Sequence, residues 1–293
     1  MNYNLAQQTF FDSDDIYACQ YAAAKAAQMA LLKEVCLSPK PGLVDINNCG
    51  SHRDMDLNTF MRSISAISPW LDQFYLYGKS ITVAGKFLPN LRPLGIQCEQ
   101  SMFKATNNVN THKGGVFAFG LLLAAIGKLD NDQIALSYQA ICDEVAKACQ
   151  GLVQQELETR NSATTVGEKL FKQHRLTGAR GEAESGYLTV RNISLPIFKE
   201  MMITGHDEET SLLQAMLYLL AYNDDTNLVS RGGMAGLQYV QDAAKSIIAI
   251  GGMIQQGGKQ KLLELDQQLI KRNLSPGGTA DLIAITWFLS QFN

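Results

Sequence analysis

Apolar residues recur at spacings of three and four along most of the chain, in segments separated by short polar stretches. This period is typical of amphipathic helices, and no segment shows the strict alternation expected of a half-buried strand. The first predicted helix is capped by Ser13 or Asp14 and ends near Cys36. Pro69 is expected to break or kink the second helix, and the two prolines of 85–93 predict a connection. The helices predicted after the first span residues 57–77, 94–104, 116–129, 131–157, 164–173, 193–202, 208–222, 236–253, 259–272 and 278–292.

These elements predict an all-α fold, a compact multi-helix domain whose glycine-bounded polar loops line one cleft. The chain has 293 residues, 46% of them hydrophobic, which is enough for one sizeable core. The sequence contains no repeat of fixed period and no low-complexity linker. A single catalytic domain over residues 1–293 is therefore expected, and a division into two lobes near residues 150–165 stays open.

The composition argues against several classes of function. A net charge of -3 provides no basic surface for nucleic acid or anionic membranes, and the aromatic residues form no clusters with arginine. The six cysteines form no CxxC pair, so neither a disulfide framework nor a cysteine-rich zinc site is expected. The amino terminus is polar and acidic, unlike a signal peptide, and the longest apolar run, residues 116–127, is too short to span a bilayer. We expect a cytoplasmic protein.

The polar stretch over residues 38–55 is the feature around which the chain is organised. Two prolines stiffen it, while Gly42 and Gly50 permit tight bends. Loops held on a rigid scaffold are common sites of binding and catalysis. The ionisable side chains of this loop are Lys40, Asp45, His52, Arg53 and Asp54. An ordinary solvated surface connection is the alternative interpretation.

Four further loops combine glycine with charged or imidazole side chains. Residues 107–115 carry His112 and Lys113 just before a predicted helix, whose amino-terminal end suits an anion. Residues 178–187 carry alternating charges that, taken alone, are more typical of a solvated ion-paired turn. Residues 223–233 and 275–281 bring acidic side chains beside helix ends. The alternative for Asp281 is that it only complements the positive start of a helix. The candidate side chains of these three loops are Arg180, Glu182, Glu184, Asp224, Asp225, Asn227, Arg231 and Asp281.

Three carboxylates are candidate metal ligands. Asp224 and Asp225 follow the carboxyl-terminal end of a predicted helix, where the helix dipole disfavours negative charge and a bound cation would offset that cost. Mg²⁺ prefers a few carboxylates together with substrate phosphate oxygens. Glu34 falls near the inward stripe of the first helix, where a carboxylate needs a metal or a partner. A plain Asx turn at the aspartates and a frayed helix end at Glu34 are the alternatives.

Five motifs occur in order along the chain, although no Walker loop, dinucleotide-binding turn, zinc-protease motif or nucleophile elbow is present. The motifs are PKPGLVD at 39–45 with Gly50, His52, Asp54 and Met55, THKG at 111–114, GARGEAE at 178–184, DTN at 225–227, and SPGG at 275–278 followed by ADL at 280–282. Together they resemble the triphosphoribosyl-dephospho-coenzyme A synthase family, which includes CitG of citrate lyase and a close sibling that serves malonate decarboxylase. The resemblance covers about residues 20–290.

The resemblance implies that the protein transfers the 5-triphosphoribosyl group of ATP to 3′-dephospho-coenzyme A and releases adenine. Breaking the N-glycosidic bond develops positive charge on the ribose, and a base must accept the proton of the attacking hydroxyl. Asp45, His52 and Asp54 are the catalytic candidates. Residues expected to bind substrate, the first four through phosphate, are Lys40, Lys113, Arg180, Arg231, His112, Glu182, Glu184, Asn227 and Asp281. Asp224, Asp225 and Glu34 are expected to hold Mg²⁺.

The product is a prosthetic-group precursor, and it is expected to pass to an enzyme that modifies an acyl carrier protein. Neither nucleic acid nor a membrane is an expected partner. The residues themselves also allow two other functions: a helical Mg²⁺-dependent nucleoside triphosphate hydrolase, and a nucleotide-binding regulator without turnover. Whether the protein serves citrate lyase or malonate decarboxylase, its oligomeric state, the identity of the base and the assignment of loops to substrates stay open.

Overall fold

The computed structural model describes residues 19–82, 87–159 and 163–293. Within these residues the chain forms twelve α-helices, two short π-helices (Gln154–Glu158 and Val190–Ser194), one 3₁₀ turn (Gly252–Ile254) and no strand, which confirms the all-α prediction. The α-helices are α1 (Ala22–Cys36), α2 (Leu57–Lys79), α3 (Leu88–Ala105), α4 (Lys113–Asn131), α5 (Tyr138–Cys149), α6 (Val166–His174), α7 (Gly178–Glu184), α8 (Leu195–Ile203), α9 (Glu208–Tyr222), α10 (Thr226–Ala249), α11 (Gly258–Lys271) and α12 (Gly277–Ser290).

Two helices continue through prolines that were expected to interrupt them. Pro69 lies inside α2, which continues past it to Lys79, so the predicted break is wrong. Pro93 lies inside α3, which begins six residues earlier than predicted, at Leu88. Another proline, Pro89, lies in the first turn of α3. Amide hydrogens in a first helical turn have no partner within the helix, so a proline there costs no hydrogen bond. Both helices bury an apolar face against α4, and tertiary packing of this kind outweighs local propensity.

Several predicted boundaries also differ from the structure. The predicted caps Ser13 and Asp14 lie outside the described residues. The predicted helix 131–157 begins later, at Tyr138, because the Ser137 hydroxyl caps α5 by accepting from the Ala140 amide. It is also divided into α5 and a π-helix. The third polar loop is largely the helix α7, and much of the fourth is the first turns of α10, in which Gly233 alone has a non-helical conformation. The α9 helix has both predicted ends.

Helix α4 runs through the hydrophobic core and is buried along most of its length. It is longer than predicted, and it is long and apolar enough to cross a membrane, but 78% of its apolar window is buried inside the protein. Its main neighbour is α2. A Cβ atom at Gly78 would lie 2.1 Å from the Ala124 carbonyl oxygen, and one at Gly127 would lie 2.1 Å from the Tyr75 carbonyl oxygen. Glycine at both positions therefore allows the two backbones to touch.

Helix α12 is buried on nearly every side and packs against α1, α4, α9 and α10. The carboxyl-terminal end of α1 and the amino-terminal ends of α4, α10 and α12 consequently meet on one side of the bundle. One hydrophobic core contains both Leu152 and Leu170, which flank the possible division near residues 150–165. The polar loops thus project from a scaffold with a continuous interior.

Candidate active site

A cavity of about 480 Å³ opens where these helix ends meet, and residues from all five polar loops line it. The predicted site residues in its wall are Glu34, Lys40, His52, His112, Lys113, Glu182, Asp224, Asp225, Asn227, Arg231 and Asp281. Four other predicted site residues are not part of the wall: Asp45, Asp54, Arg180 and Glu184. The convergence of the loops agrees with the predicted cleft. The contacts of each residue, described below, indicate what that residue does.

Asp45 is buried inside the first loop, where it organises the backbone. Its carboxylate accepts hydrogen bonds from the Ser38 hydroxyl (2.7 Å) and from the amides of Lys40 (3.2 Å), Asn47 (2.7 Å) and Asn48 (3.0 Å). Both oxygens are occupied by the loop itself and neither faces the cavity. Asp45 therefore lacks a contact with the cavity that would support its predicted catalytic role, and its bonds indicate that it positions the loop.

The first loop is fixed to the region between α11 and α12. Gly42 has a φ of 72°, and a Cβ there would lie 2.2 Å from the Leu274 carbonyl oxygen, so only glycine fits. The Gly42 amide donates to Asp266 (2.8 Å), and the Ser51 hydroxyl donates to the Leu274 carbonyl oxygen (2.6 Å). Sequence analysis missed Asp266; a carboxylate on the apolar face of an amphipathic helix is the signal that could have identified it.

His52 joins three loops, and both of its ring nitrogens have partners. Its Nδ1 lies 3.2 Å from a guanidinium nitrogen of Arg231, and its Nε2 lies 2.9 Å from the Ser275 hydroxyl oxygen. Because arginine can only donate, Nδ1 is the acceptor and Nε2 carries the proton. Burial and the Arg231 charge lower the pKa of His52, so the ring is neutral. With both ring nitrogens bonded to neighbouring loops, these contacts favour a positioning role for His52, and its predicted role as an acid or base stays a prediction.

Asp54 and Arg231 lie at the outer edge of the site. The Asp54 side chain is 63% exposed, and its oxygen is 3.7 Å from His52 Nδ1, too far for a firm hydrogen bond. Arg231 also donates to the Ser51 carbonyl oxygen (2.9 Å) and the Asn273 side chain (3.1 Å). The predicted catalytic role of Asp54 therefore lacks a contact with the cavity, while Arg231 remains one of its wall residues.

Glu34 is buried, as its position on the inward face of α1 predicts, and it pairs with the ammonium group of Lys40. Burial raises the pKa of Glu34, while the Lys40 charge opposes that shift. Both residues line the cavity, so the pair presents one acidic and one basic group to a ligand. Because the partner of Glu34 is a lysine, the structure gives no reason to assign it to a metal.

Asp225 connects the start of α10 to the start of α12. One carboxylate oxygen accepts from the amides of Asn227 (2.9 Å) and Leu228 (3.3 Å), and the other accepts from the amide (2.7 Å) and hydroxyl (3.0 Å) of Thr279. Burial raises its pKa despite these bonds. Four protein donors leave the Asp225 carboxylate little capacity for a metal ion, contrary to the prediction. The neighbouring Asp224 is exposed and lines the cavity.

Asp281 lies against the first turn of α4. Its carboxylate oxygen occupies the space that a Cβ on Gly114 would need, only 2.0 Å away, and it accepts from the Gly115 amide. Burial, together with the negative charges of Glu34 and Asp225, raises the pKa of Asp281 to about 8. Three carboxylates therefore converge on one side of the cavity, where a cation would relieve their repulsion.

The acidic and basic residues of α7 separate into two groups. Arg180 pairs with Glu156 (2.7 Å), and Glu184 accepts from the amides of Gly151 (2.5 Å) and Val153 (2.9 Å), so both stabilise the neighbouring loop. Neither residue lines the cavity, so the structure offers no contact that supports their predicted role in binding substrate. Glu182 lines the cavity: one oxygen accepts from the Thr189 hydroxyl, while the other is buried without a partner.

His112 presents the complementary feature, a buried donor. Its Nδ1 lies 2.6 Å from the Ser63 hydroxyl oxygen, and its Nε2 is buried without a partner. Burial and the Lys40 charge lower the pKa of His112 to about 3, so the ring is neutral. Among the described residues, His112 Nε2 and Glu182 Oε2 are the buried side-chain polar atoms without a partner, and both residues line the cavity. Such atoms require a ligand or water.

Two cavity residues, Lys113 and Asn227, form few contacts within the protein, and their substrate-binding roles stay predictions. Lys113 is 55% exposed and pairs with Glu99 at 3.1 Å, a weak surface interaction that a stronger anion can replace. Asn227 places its side-chain amide against Gly277, where a Cβ would lie 2.8 Å from that nitrogen. The hydroxyl groups of Ser63 and Thr189 were not predicted, because serine and threonine inside largely apolar segments carry no charge pattern.

Hard oxygen ligands are available at the site, although the described part of the chain contains no group of three or more histidine, cysteine, aspartate and glutamate residues with metal-binding geometry. Asp224 and Asp281 both line the cavity, and neither forms a salt bridge in the described structure. One or two carboxylates completed by substrate phosphate oxygens are a typical Mg²⁺ environment. The residues present therefore fit this ion when a phosphorylated substrate is bound.

Comparison with known proteins identifies a consistent set of similarities. The family model described as "CitG: ATP:dephospho-CoA triphosphoribosyl transferase" matches residues 20–293. The 2-(5''-triphosphoribosyl)-3'-dephosphocoenzyme-A synthase of Klebsiella pneumoniae is 49% identical over 270 residues, which cover 91% of this chain and 89% of that protein. The protein of the same name from Pectobacterium atrosepticum is 52% identical over 266 residues, 90% of this chain and 86% of the relative. No solved structure matches the chain.

Proposed function

The chain belongs to the ATP:dephospho-CoA triphosphoribosyl transferase family, and we propose that the cavity is where its two substrates react. The enzyme transfers the 5-triphosphoribosyl group of ATP to 3′-dephospho-coenzyme A and releases adenine. The observation that supports this location is the convergence of all five family-like motifs on one cavity, which contains anion-binding, carboxylate and hydrogen-bonding groups.

The reaction breaks the bond between the ribose anomeric carbon and the adenine nitrogen, and forms a bond from that carbon to a hydroxyl oxygen of dephospho-coenzyme A. The hydroxyl proton leaves the nucleophile, and adenine gains a proton as it departs, so the overall proton count is unchanged. Positive charge accumulates on the ribose in the transition state, as in other glycosyl transfers. Carboxylates held near that carbon stabilise it.

Glu182 is the residue that best fits the base. Its Oε2 atom is buried and unpartnered, and Thr189 fixes the orientation of the carboxylate through the other oxygen. Burial raises the pKa of Glu182, which strengthens it as a proton acceptor. In this proposal Glu182 takes the place of the predicted catalytic group. Asp45 bonds within its own loop, His52 bonds to Ser275, and the Asp54 side chain is 63% exposed.

The triphosphate binds beside Lys40, Lys113 and the amino-terminal end of α4. The first two supply positive charge, and the helix end supplies a favourable dipole. Arg231 contributes positive charge from the opposite loop. Glu34 and Asp281 lie beside these groups, but Lys40 balances the charge of Glu34, and a bound cation would balance that of Asp281.

Mg²⁺ accompanies the triphosphate in this proposal. Asp224 and Asp281 would hold the ion together with phosphate oxygens, and the ion would neutralise part of the triphosphate charge. Asp225 supports that region through its bonds to Thr279 rather than as a ligand. The protein residues orient both substrates, and Glu182 accepts the hydroxyl proton.

The product is the prosthetic-group precursor of citrate lyase acyl carrier protein, and it passes to an enzyme that modifies that carrier in the cytoplasm. Adenine release measured by chromatography tests the central reaction. Adenine should appear only when ATP and dephospho-coenzyme A are both present. Phosphate release from ATP alone would instead indicate a hydrolase, and nucleotide binding without either product would indicate a regulator; both outcomes contradict the proposal.

A further inference from the structure

A chain of three hydrogen-bonding groups, one half-buried and two buried, leads from the second loop into α2. The Thr111 hydroxyl donates to the Ser63 hydroxyl oxygen at 2.7 Å, and the Ser63 hydroxyl lies 2.6 Å from His112 Nδ1. Ser63 is fully buried and His112 is 3% exposed. Since Ser63 already accepts from Thr111, its single proton is available for Nδ1.

This arrangement fixes the proton of His112. A neutral imidazole has one donor nitrogen and one acceptor nitrogen, and the partner of one nitrogen determines the state of the other. With Nδ1 accepting from Ser63, Nε2 carries the proton and is the unpartnered buried atom. The Phe60 ring packs against the imidazole edge-on at 4.9 Å, and the His112 amide contacts the Met102 sulfur at 3.3 Å. The donor is therefore held in direction as well as in tautomer.

We propose that Ser63 and Thr111 are positioning residues that hold His112 in its Nε2-protonated tautomer, so that His112 donates a hydrogen bond to a phosphate oxygen of the nucleotide. This inference rests on the proposed function for the identity of the ligand. It goes beyond it by assigning roles to two hydroxyl groups and by defining how a neutral histidine contributes to a polyanion site.

The surroundings of His112 favour a phosphate oxygen as the acceptor. Lys40 is close enough for its charge to oppose protonation of the ring, Lys113 follows directly, and the α4 helix begins at that residue. These groups attract anions. A second positive charge on the imidazole would repel Lys40, whereas a neutral N–H group adds a directed hydrogen bond at no electrostatic cost.

The tautomer can be measured without turnover. Nitrogen-15 spectra of protein labelled at its four histidines distinguish a protonated from an unprotonated ring nitrogen, and His112→Gln identifies the His112 signals by their loss. We expect the wild-type His112 to show a protonated Nε2 and an unprotonated Nδ1 through neutral pH. Ser63→Ala should produce a mixture of both tautomers, because the donor to Nδ1 is removed. A proton on Nδ1 in the wild type would overturn the proposal.

Binding of inorganic tripolyphosphate, measured by calorimetry, tests the acceptor. Ser63→Ala and Thr111→Val should weaken the Kd by about 3- to 10-fold, the loss expected for one hydrogen bond. Thr111→Ser should restore it, and His112→Gln, which keeps an N–H donor, should retain more affinity than His112→Ala. Ser68→Ala is the matched control: Ser68 is a fully buried serine of the same helix whose hydroxyl donates to the Ile64 carbonyl oxygen.

The outcomes separate this inference from the proposed reaction. If Ser63→Ala bound tripolyphosphate as tightly as Ser68→Ala, the positioning role of Ser63 would be contradicted. A loss confined to adenosine, used as a second ligand, would place the acceptor on the nucleoside and refute the phosphate contact. The tautomer and tripolyphosphate results could be as expected while the wild type fails to release adenine. That outcome would refute the transferase assignment and support the positioning of His112 by Ser63 and Thr111.

Discussion

The carboxylate of Asp225 accepts hydrogen bonds from both the amide and the hydroxyl of Thr279, at 2.7 and 3.0 Å, across 54 residues of sequence. This contact joins the start of α10 to the start of α12, and it therefore fixes two walls of the cavity relative to each other. Asp224, the preceding residue, is exposed and faces the cavity without such bonds to α12. The two adjacent aspartates therefore differ: Asp225 holds α10 and α12 together, whereas Asp224 faces the cavity.

Replacing Asp225 by asparagine should lower the free energy of unfolding by about 1 to 3 kcal/mol, because an amide nitrogen would face donors in a buried site. Asp224→Asn should leave stability nearly unchanged and raise the Mg²⁺ concentration needed for half-maximal adenine release. Urea unfolding and Mg²⁺ titration of both variants are the measurements. Equal stability of the two variants would contradict the structural role of Asp225.

The buried pair of Glu34 and Lys40 gives a second test. Lys40→Met should destabilise the protein by roughly 3 to 5 kcal/mol, because it leaves the Glu34 carboxylate buried without its partner. The double variant with Glu34→Gln should recover most of that stability, yet its ATP affinity should remain reduced because the cavity has lost a cation. Thermal melts and ATP titrations separate the two effects. A double variant as unstable as the single one would argue against the pair.

The overall fold was predictable because its signal is local. A three- and four-residue apolar period identifies amphipathic helices wherever they pack, and α9 has both of its predicted ends. Glycine and proline were misleading at α7 and α3, since packing against neighbours outweighs their intrinsic preference for loops. Residue composition therefore predicted the class of each segment better than its boundaries.

The site was predictable only at the level of loops. Glycine beside charge located the five segments that meet at the cavity, but it could not show which side chain faces inward. Asp45 bonds to backbone amides of its own loop, Glu184 bonds to the Gly151 amide, and His52 bonds to Arg231. Each bond depends on how the folded chain directs the side chain, which the residue type alone does not specify. Ser63 lies in an apolar helix, and nothing in the surrounding sequence indicates that its hydroxyl bonds to a histidine.

Asp281 predicts a pH dependence of stability. Its pKa is about 8 in the folded protein and would be near 3.8 when unfolded, so the folded state holds a proton that the unfolded state releases. Stability contributed by this protonated group is complete below pH 4 and is lost as pH rises toward 8. Asparagine cannot ionise, so Asp281→Asn should melt higher than the wild type at alkaline pH.

We expect that difference in melting temperature to grow between pH 4.5 and 8.5, in the presence of a chelator, to on the order of 5 °C, since each kcal/mol shifts the melting temperature of a chain this size by roughly 2 to 4 °C. Asp54→Asn is the control, because its carboxylate is exposed. A constant difference for Asp281→Asn over this range would mean that Asp281 is ionised in the folded protein.

The last prediction concerns Glu182 and Glu184, two glutamates of the same short helix. Glu182→Gln keeps the shape and the contact with Thr189 but cannot accept a proton, so kcat for adenine release should fall on the order of 10²- to 10⁴-fold. ATP affinity should change little, because a proton transfer contributes to the transition state and not to ground-state binding. Steady-state kinetics at saturating substrates and a separate ATP titration measure the two quantities.

Glu184→Gln is the matched control for that experiment. Its carboxylate accepts from the Gly151 and Val153 amides outside the cavity, so the variant should lose stability while its kcat, measured well below the melting temperature, stays within a few-fold of the wild type. If Glu182→Gln retained nearly normal kcat, the unpartnered oxygen would be a ligand-binding group, and the base would have to be sought among the other carboxylates of the cavity. Asp281 would then be the first to replace, because it lies against the amino-terminal turn of α4 beside the predicted phosphate site.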